Sequence, residues 1–245
     1  MKTKSAHPPR FAIASPVDAS GLAEITGAEL HHIRDVLRLP MGSGVSILDS
    51  AGGQHDGVLV RCDRDRAIIK IESSRSPRMH PQIILATAIV KGPRMDFIVE
   101  KAAELGAAQL WPIVSARAVV RSPGAERILR WRRLALAAAK QSHSPGTMEV
   151  RPPINFDELL RTVPRDTLAV ICGAGCEPLG DAIRRLEPRN ILIAVGPEGG
   201  FDAGERTAAA ALGFVAAGLG ANRLRSETAA LAAVSIAAGA LHAIR

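Results

Sequence analysis

Tyrosine is absent from these 245 residues, and aromatic residues make up only 3% of them. So small an aromatic set argues against RNA binding through a sheet of stacked aromatic side chains, and against β-rich extracellular modules. Cysteine is scarce too. Cys62, Cys172 and Cys176 form an odd set without patterned spacing, so no disulfide framework is expected. Cys172 and Cys176 have no nearby histidine pair, which argues against zinc and for reduced, partly buried thiols in a cytoplasmic protein. The segment MKTKSAHPPR has charge but no apolar stretch behind it, so no secretory signal is read. The most apolar segment, Ser226–Ile244, is broken by Ser235, Gly239 and His242 and reads as a buried helix, not a membrane span. Walker-type G-x-x-x-x-G-K-[ST] is missing, and no G-x-G-x-x-G follows a first strand. His31-His32 lacks an acid at metal spacing, so no metal is expected, and no Ser-His-Asp or Cys-His arrangement stands out.

What is present is an ordinary globular composition, 47% hydrophobic and 22% charged, long enough for one large or two modest domains. The net charge of +7 is unevenly placed. Residues 1–75 carry ten Lys and Arg against nine Asp and Glu, residues 76–166 fourteen against eight, and residues 167–245 seven against seven. The excess is densest at Arg117, Arg121, Arg127, Arg130, Arg132 and Arg133, opposed only by Glu126. Arginine forks suit phosphate, and a solvated helix face is the plainer alternative.

The chain changes style near residue 75. Before it, Val45–Leu48, Gly57–Val60 and Ala67–Ile71 are short apolar runs separated by turn residues, as in a small antiparallel barrel or sheet. Leu30, Ile33, Val36 and Leu37 recur at helical spacing within Gly27–Leu39, which Pro40 ends. Ser73–Pro81 reads as a linker. Beyond it, strands are expected at Ile83–Val90, Leu110–Val114, Leu168–Cys172, Ile191–Val195 and Phe214–Leu219. Helices are expected at Arg94–Leu105, Glu126–Gln141, Leu179–Leu186, Asp202–Leu212 and Ser226–Ile244. Asp202 and Glu205 have the spacing of a capping box, and Ser226 is the expected cap of the last helix. Repeated strand–helix alternation implies a parallel sheet covered by helices on both faces.

Ligands of such sheets bind at the carboxyl ends of the strands. Two loops there are unusual. Gly196-Pro197-Glu198-Gly199-Gly200 combines three glycines, which let backbone approach a ligand, with one carboxylate. Leu219 through Thr228 packs Arg223, Arg225, Glu227 and two hydroxyls around a helix N-terminus, a natural polar-ligand site.

These residues carry a resemblance. Arg10-Phe11, His31-His32 with Val36–Leu39, Lys91–Asp96, Glu100–Gly106, Gly196–Phe201 and Leu219-Gly220 through Leu224–Ala229 resemble the signatures of the RsmE family of bacterial 16S rRNA (uracil-N3)-methyltransferases, in the SPOUT superfamily. The resemblance implies an α/β fold. Residues 74–245 would form a SPOUT domain with a parallel sheet and a deep trefoil knot, and residues 1–73 a small PUA-like β-barrel that helps hold RNA. It implies S-adenosylmethionine as cofactor, a homodimer, and 16S rRNA or the small ribosomal subunit as partner. Gly196, Pro197, Glu198, Gly199, Gly200, Leu219, Gly220, Leu224, Arg225, Ser226 and Thr228 are the expected cofactor residues. Glu198 and Glu227 are the expected bases or cofactor anchors, with Arg225 stabilising charge on the uracil or binding a phosphate. Arg10, Arg38, Arg94, Arg117, Arg121, Arg130 and Arg133 are the expected RNA contacts. Lys140, Ser144 and Met148 depart from the family's usual Glu, Arg and Pro at those places. Another SPOUT reaction, such as ribose 2′-O-methylation, and a noncatalytic RNA-binding assembly factor are the rival readings.

Overall fold

The computed structural model describes residues 8–13, 15–18, 20–49, 53–75, 82–118, 120, 122–142 and 146–243. The chain forms two compact units, Met1–His80 with Ser142–Gly146, and Pro81–Gln141 with Thr147–Arg245.

The smaller unit is a five-stranded sheet built from β1 (Arg10–Ala12), β2 (Leu22–Ile25), β3 (Gly44–Leu48), β4 (Gln54–Cys62) and β5 (Ala67–Arg75), in the order β1-β3-β4-β5-β2. Only β1 and β3 run parallel. Phe11, Val45, Ile47, Leu59 and Ile69 point to one face, where Leu30 and Ile33 cover them. The helix expected over Gly27–Leu39 stops early. It is α1 (Gly27–His31) followed by a π-helical turn (His32–Val36), in which Leu37 N–H donates to His32 C=O five residues back. Arg38, with φ of 50°, then turns the chain out of the helix before Pro40. The linker expected from Ser73 begins later, because Ser73 and Ser74 pair with Asp56 and His55 in the β4–β5 ladder.

The larger unit alternates as expected. Its elements are β6 (Ile83–Ala88), α2 (Pro93–Glu104), β7 (Gln109–Val114), α3 (Ala125–Gln141), β8 (Glu149–Val150), β9 (Ile154–Asn155), α4 (Phe156–Thr162), β10 (Thr167–Cys172), α5 (Leu179–Leu186), β11 (Asn190–Val195), α6 (Ala203–Ala211), β12 (Val215–Ala217) and α7 (Ser226–Ala243). The strand order is β12-β10-β11-β6-β7-β8, with β9 also on β7, and every pairing is parallel. Alternate residues divide between two cores. Ile83, Leu85, Ile191, Ile193 and Val170 meet α2, α3, α5 and α7. Ile84, Ala86, Leu192, Ala194 and Ile171 meet α4 and α6. Burial on both faces explains why these strands read as unbroken apolar runs.

One connection sets up the site. β12 lies at the sheet edge beyond β10, yet α7 packs on β6 and β11 between α5 and α2. The segment joining them therefore returns across the carboxyl ends of the strands. No described helix is long and apolar enough to cross a membrane.

Candidate functional site

The glycine-rich loop leaves β11 at Val195 and closes in a tight turn, with Gly200 N–H donating to Pro197 C=O at 2.7 Å and Gly200 at φ 66°. A Cβ on Gly196 would stand 3.1 Å from Phe201 N, so this glycine is required by the loop's own path. A Cβ on Gly199 would meet Arg117 Cδ at 3.3 Å. Phe201 anchors the exit against Phe156, ring centres 5.0 Å apart. The capping box then forms as read. Asp202 Oδ1 accepts from Glu205 N–H, and Glu205 Oε2 accepts from Asp202 N–H.

The second loop runs from Leu219 to the start of α7. Gly220 takes φ 124°, which only glycine adopts readily. Leu219 and Leu224 are half-buried, and Arg223, Arg225 and Thr228 are exposed. Ser226 is not the cap. Arg225 C=O accepts the first helical bond, from Ala229 N–H, so Ser226 is already the first helical residue. Its hydroxyl is buried without a hydrogen-bond partner, as is Oε2 of Glu227. Covered polar atoms without a hydrogen bond are costly, and both belong to the first turn of α7.

Arg94 joins the two loops. Its Nη1 is 2.8 Å from Glu198 Oε1 and 3.7 Å from Glu227 Oε2. Arg223 donates to Glu198 C=O at 3.0 Å, and Arg117 donates to Gly199 C=O at 2.7 Å. The structure thus brings Glu198, Glu227, Gly196–Gly200 and the residues flanking Arg225 to one end of the sheet.

The expected RNA contacts are scattered in role. Arg94 and Arg117 face the glycine-rich loop. Arg130 is paired with Asp96 through Nε at 2.9 Å and Nη2 at 2.8 Å, and Trp131 Nε1 donates to the other oxygen of the same carboxylate. Arg38 and Arg133 are exposed, and Arg121 lies outside the described residues. Arg10 is buried at 8% exposure, with all three guanidinium nitrogens covered and unpartnered. A direct phosphate contact is therefore not what this conformation of Arg10 offers. Its register partner Ser46 on β3 also has a buried, unpaired hydroxyl.

At the departures, Lys140 is half-buried near the end of α3, and burial lowers its ammonium from the usual value. Met148 is buried in the larger core, and Ser144 lies outside the described residues. The three cysteines are free, and burial pushes the Cys172 thiol up to about 12.

A third loop was not foreseen. Residues 173–178, after β10, interlock with Gly218, whose N–H donates to Glu177 C=O and whose C=O accepts from Leu179 N–H. A Cβ on Gly218 would be 3.0 Å from Cys176 C=O. The signal was available, since Gly173-Ala174-Gly175 follows a strand as the glycines at 196–200 do. Among the described residues no group of three His, Cys, Asp or Glu stands close enough to hold a metal ion.

Comparison with known proteins bears on this geometry. A family model described as an RNA methyltransferase domain matches residues 77–238. The ribosomal RNA small subunit methyltransferase E of Synechocystis sp. is 30% identical, over 92% of this chain and 76% of that one. The protein of the same name from Mesomycoplasma hyopneumoniae is 31% identical, over 84% and 89%. A crystal structure of ribosomal RNA small subunit methyltransferase E from Neisseria gonorrhoeae, bound to S-adenosyl methionine, superposes with a TM-score of 0.81. It is 31% identical, over 94% of this chain and 96% of that one. With a matching RNA methyltransferase domain and full-length relatives of one name, the chain belongs to the family of the ribosomal RNA small subunit methyltransferases E.

Proposed function

We propose that this chain transfers the methyl group of S-adenosylmethionine to N3 of a uridine in 16S rRNA. The observation that carries the reading is the meeting of Glu198, from the glycine-rich loop, and Glu227, from the first turn of α7, on Arg94 at the carboxyl ends of the parallel strands. The site suits the cofactor's chemistry. Glycines in loops 173–178, 196–200 and 218–225 let backbone approach a ligand closely, and the covered Ser226 hydroxyl and Glu227 Oε2 lack hydrogen-bond partners. When bound, S-adenosylmethionine supplies an electrophilic methyl carbon.

This chain's residues do the rest. N3 of uracil carries an imide proton within the pairing edge, so the base must be unpaired or flipped out before it can react. Glu198 already accepts from Arg94, which suits it to anchoring. Glu227 Oε2 lies 3.7 Å from Arg94 Nη1 without a hydrogen bond, and it is the oxygen assigned to take the imide proton once the base is bound. Arg225, exposed where α7 begins, faces the charge left on the uracil oxygens or a neighbouring phosphate. Exposed Arg38 and Arg133, with Arg121, supply phosphate contacts that hold the RNA without reading it.

The same reading makes residues 1–73 a PUA-like RNA-holding barrel and residues 74–245 a SPOUT domain. It gives the returning β12–α7 segment a trefoil knot and makes the working form a cytoplasmic homodimer. The family resemblance supports these points, and the return of the chain from β12 across the strand ends to α7 is in keeping with the knot. Nucleoside mass spectrometry of 16S rRNA from a strain lacking this chain, and from one complemented with it, tests the reaction. 3-Methyluridine should vanish and return. Loss of a ribose-methylated nucleoside instead, or no change in any nucleoside, would replace it with the rival chemistry or with an assembly role.

A further inference from the structure

Arg94, Arg117 and Arg223 come from three separate segments, and each directs its guanidinium at residues 196–200. Arg94 sits in the first turn of α2, where the helix dipole disfavours a cation. Its partners there are the Glu198 carboxylate at 2.8 Å and Glu227 at 3.7 Å. Arg117 lies in the turn after β7. That turn is itself tied down, because Ala116 N–H donates at 2.7 Å to Glu205 Oε1, while the other oxygen of Glu205 closes the Asp202 capping box. From this braced position Arg117 Nη1 reaches Gly199 C=O at 2.7 Å, and its aliphatic stem covers the side of Gly199 that has no Cβ. Arg223 donates to the preceding carbonyl, that of Glu198, at 3.0 Å.

A loop with three glycines in five residues has little stiffness of its own. Two of its successive carbonyls and its one side-chain carboxylate are instead fixed by charge-assisted bonds from outside it. We infer that Arg94 and Arg117 are positioning residues for the Gly196–Gly200 loop, so that cofactor affinity, and not RNA affinity, depends on them. Each guanidinium is already committed to the loop through its Nη1, which leaves a phosphate only the remaining donors. This inference rests on the reading of that loop as the cofactor site.

Calorimetric titration with S-adenosylmethionine and the salt dependence of binding to a 16S rRNA transcript separate the two roles. Arg94→Gln and Arg117→Gln should each raise the Kd for S-adenosylmethionine about tenfold, charge-assisted bonds being the stronger ones. The slope of log K against log salt should stay as in the parent chain. With Arg117→Gln, KM for the cofactor should rise while kcat holds, a split that general loss of structure would not give. Arg94→Lys and Arg117→Lys keep the charge and lose the fork. They should show the same direction in Kd, and they decide the matter if a Gln variant fails to fold. Unchanged cofactor affinity overturns the inference, and so does a slope reduced by about 0.7–0.9 per substitution, the mark of a lost phosphate contact. A parent chain that binds no S-adenosylmethionine overturns the cofactor reading and the inference with it, whereas a parent that binds and variants that bind equally overturn the inference alone.

Discussion

The two units bury their polar groups in different places. In the smaller sheet, Arg10, Ser46, Asp49 and His55 are buried on or beside the strands. In the larger one, the buried polar residues among those described are Thr87 near the end of β6, Ser115 just past β7 and Ser226 at the start of α7. The buried side chains along its strands are otherwise apolar, Trp111 of β7 among them, and the three polar ones lie near the carboxyl ends of β6 and β7 and at the start of α7. The smaller sheet carries polarity through its body. Asp49 shows how this is sustained. Burial opposes its charge, but Val17 N–H, the His55 ring and Gly53 N–H outweigh that and hold the carboxyl below its usual value. Buried polarity thus gathers near the strand ends in one unit and runs through the sheet in the other.

The largest effect should come from the strand ends. Glu227→Gln should lower methyl transfer by about 10²–10⁴-fold, the range of a general base, with an unchanged melting temperature and near-normal cofactor affinity. A full-rate variant would remove the functional meaning given to that oxygen. Next is the opposite result from the smaller sheet. Arg10→Met removes a buried cation that has no hydrogen bond and only the charge of Asp56 to offset its burial, and apolar replacement of buried ionic groups is commonly neutral or stabilising by about 1–4 kcal/mol. Urea unfolding should show a midpoint held or raised, and a fall would mean that Arg10 has a partner in solution. Between the glycines, Gly196→Ala should weaken cofactor binding about tenfold, or 1.4 kcal/mol, and more than Gly199→Ala does. The first Cβ meets backbone and the second meets the flexible stem of Arg117. The smallest effect concerns acid. Asp49 is depressed in the folded chain, so its contribution to stability is present above the unfolded value of about 3.9 and is lost as pH falls through the lower folded value. Hydrogen exchange should show the smaller sheet loosening in that window, and Asp49→Asn should abolish that dependence.

What was legible in the sequence was what is local. The Asp202–Glu205 box and the apolar strands could be read because their causes lie within a few residues. Helix α4 carried its signal as well, with Asn155 accepting from Glu158 N–H and Phe156, Leu159 and Leu160 at helical spacing, but the run is only seven residues long. The start of α7 was misplaced by one residue because serine suits both the cap and the first helical position. The π-helical turn has no compositional mark. The roles of Arg94 and Arg117 were out of reach for another reason. Their partners lie 104 and 82 residues away, so an exposed arginine looked the same whether it served RNA or a loop.

The path from β12 back over the strand ends to α7 has a consequence for assembly. Helix α7 has 18 residues and docks on β6 and β11, strands whose pairing joins residues 108 positions apart, such as Ile83 and Ile191. Contacts of such long range form slowly. Glu227 rides in the first turn of that helix, so the site is completed by the last docking event. During synthesis the nascent chain would carry a nearly finished sheet and no working centre, and activity would switch on only when its final helix settled.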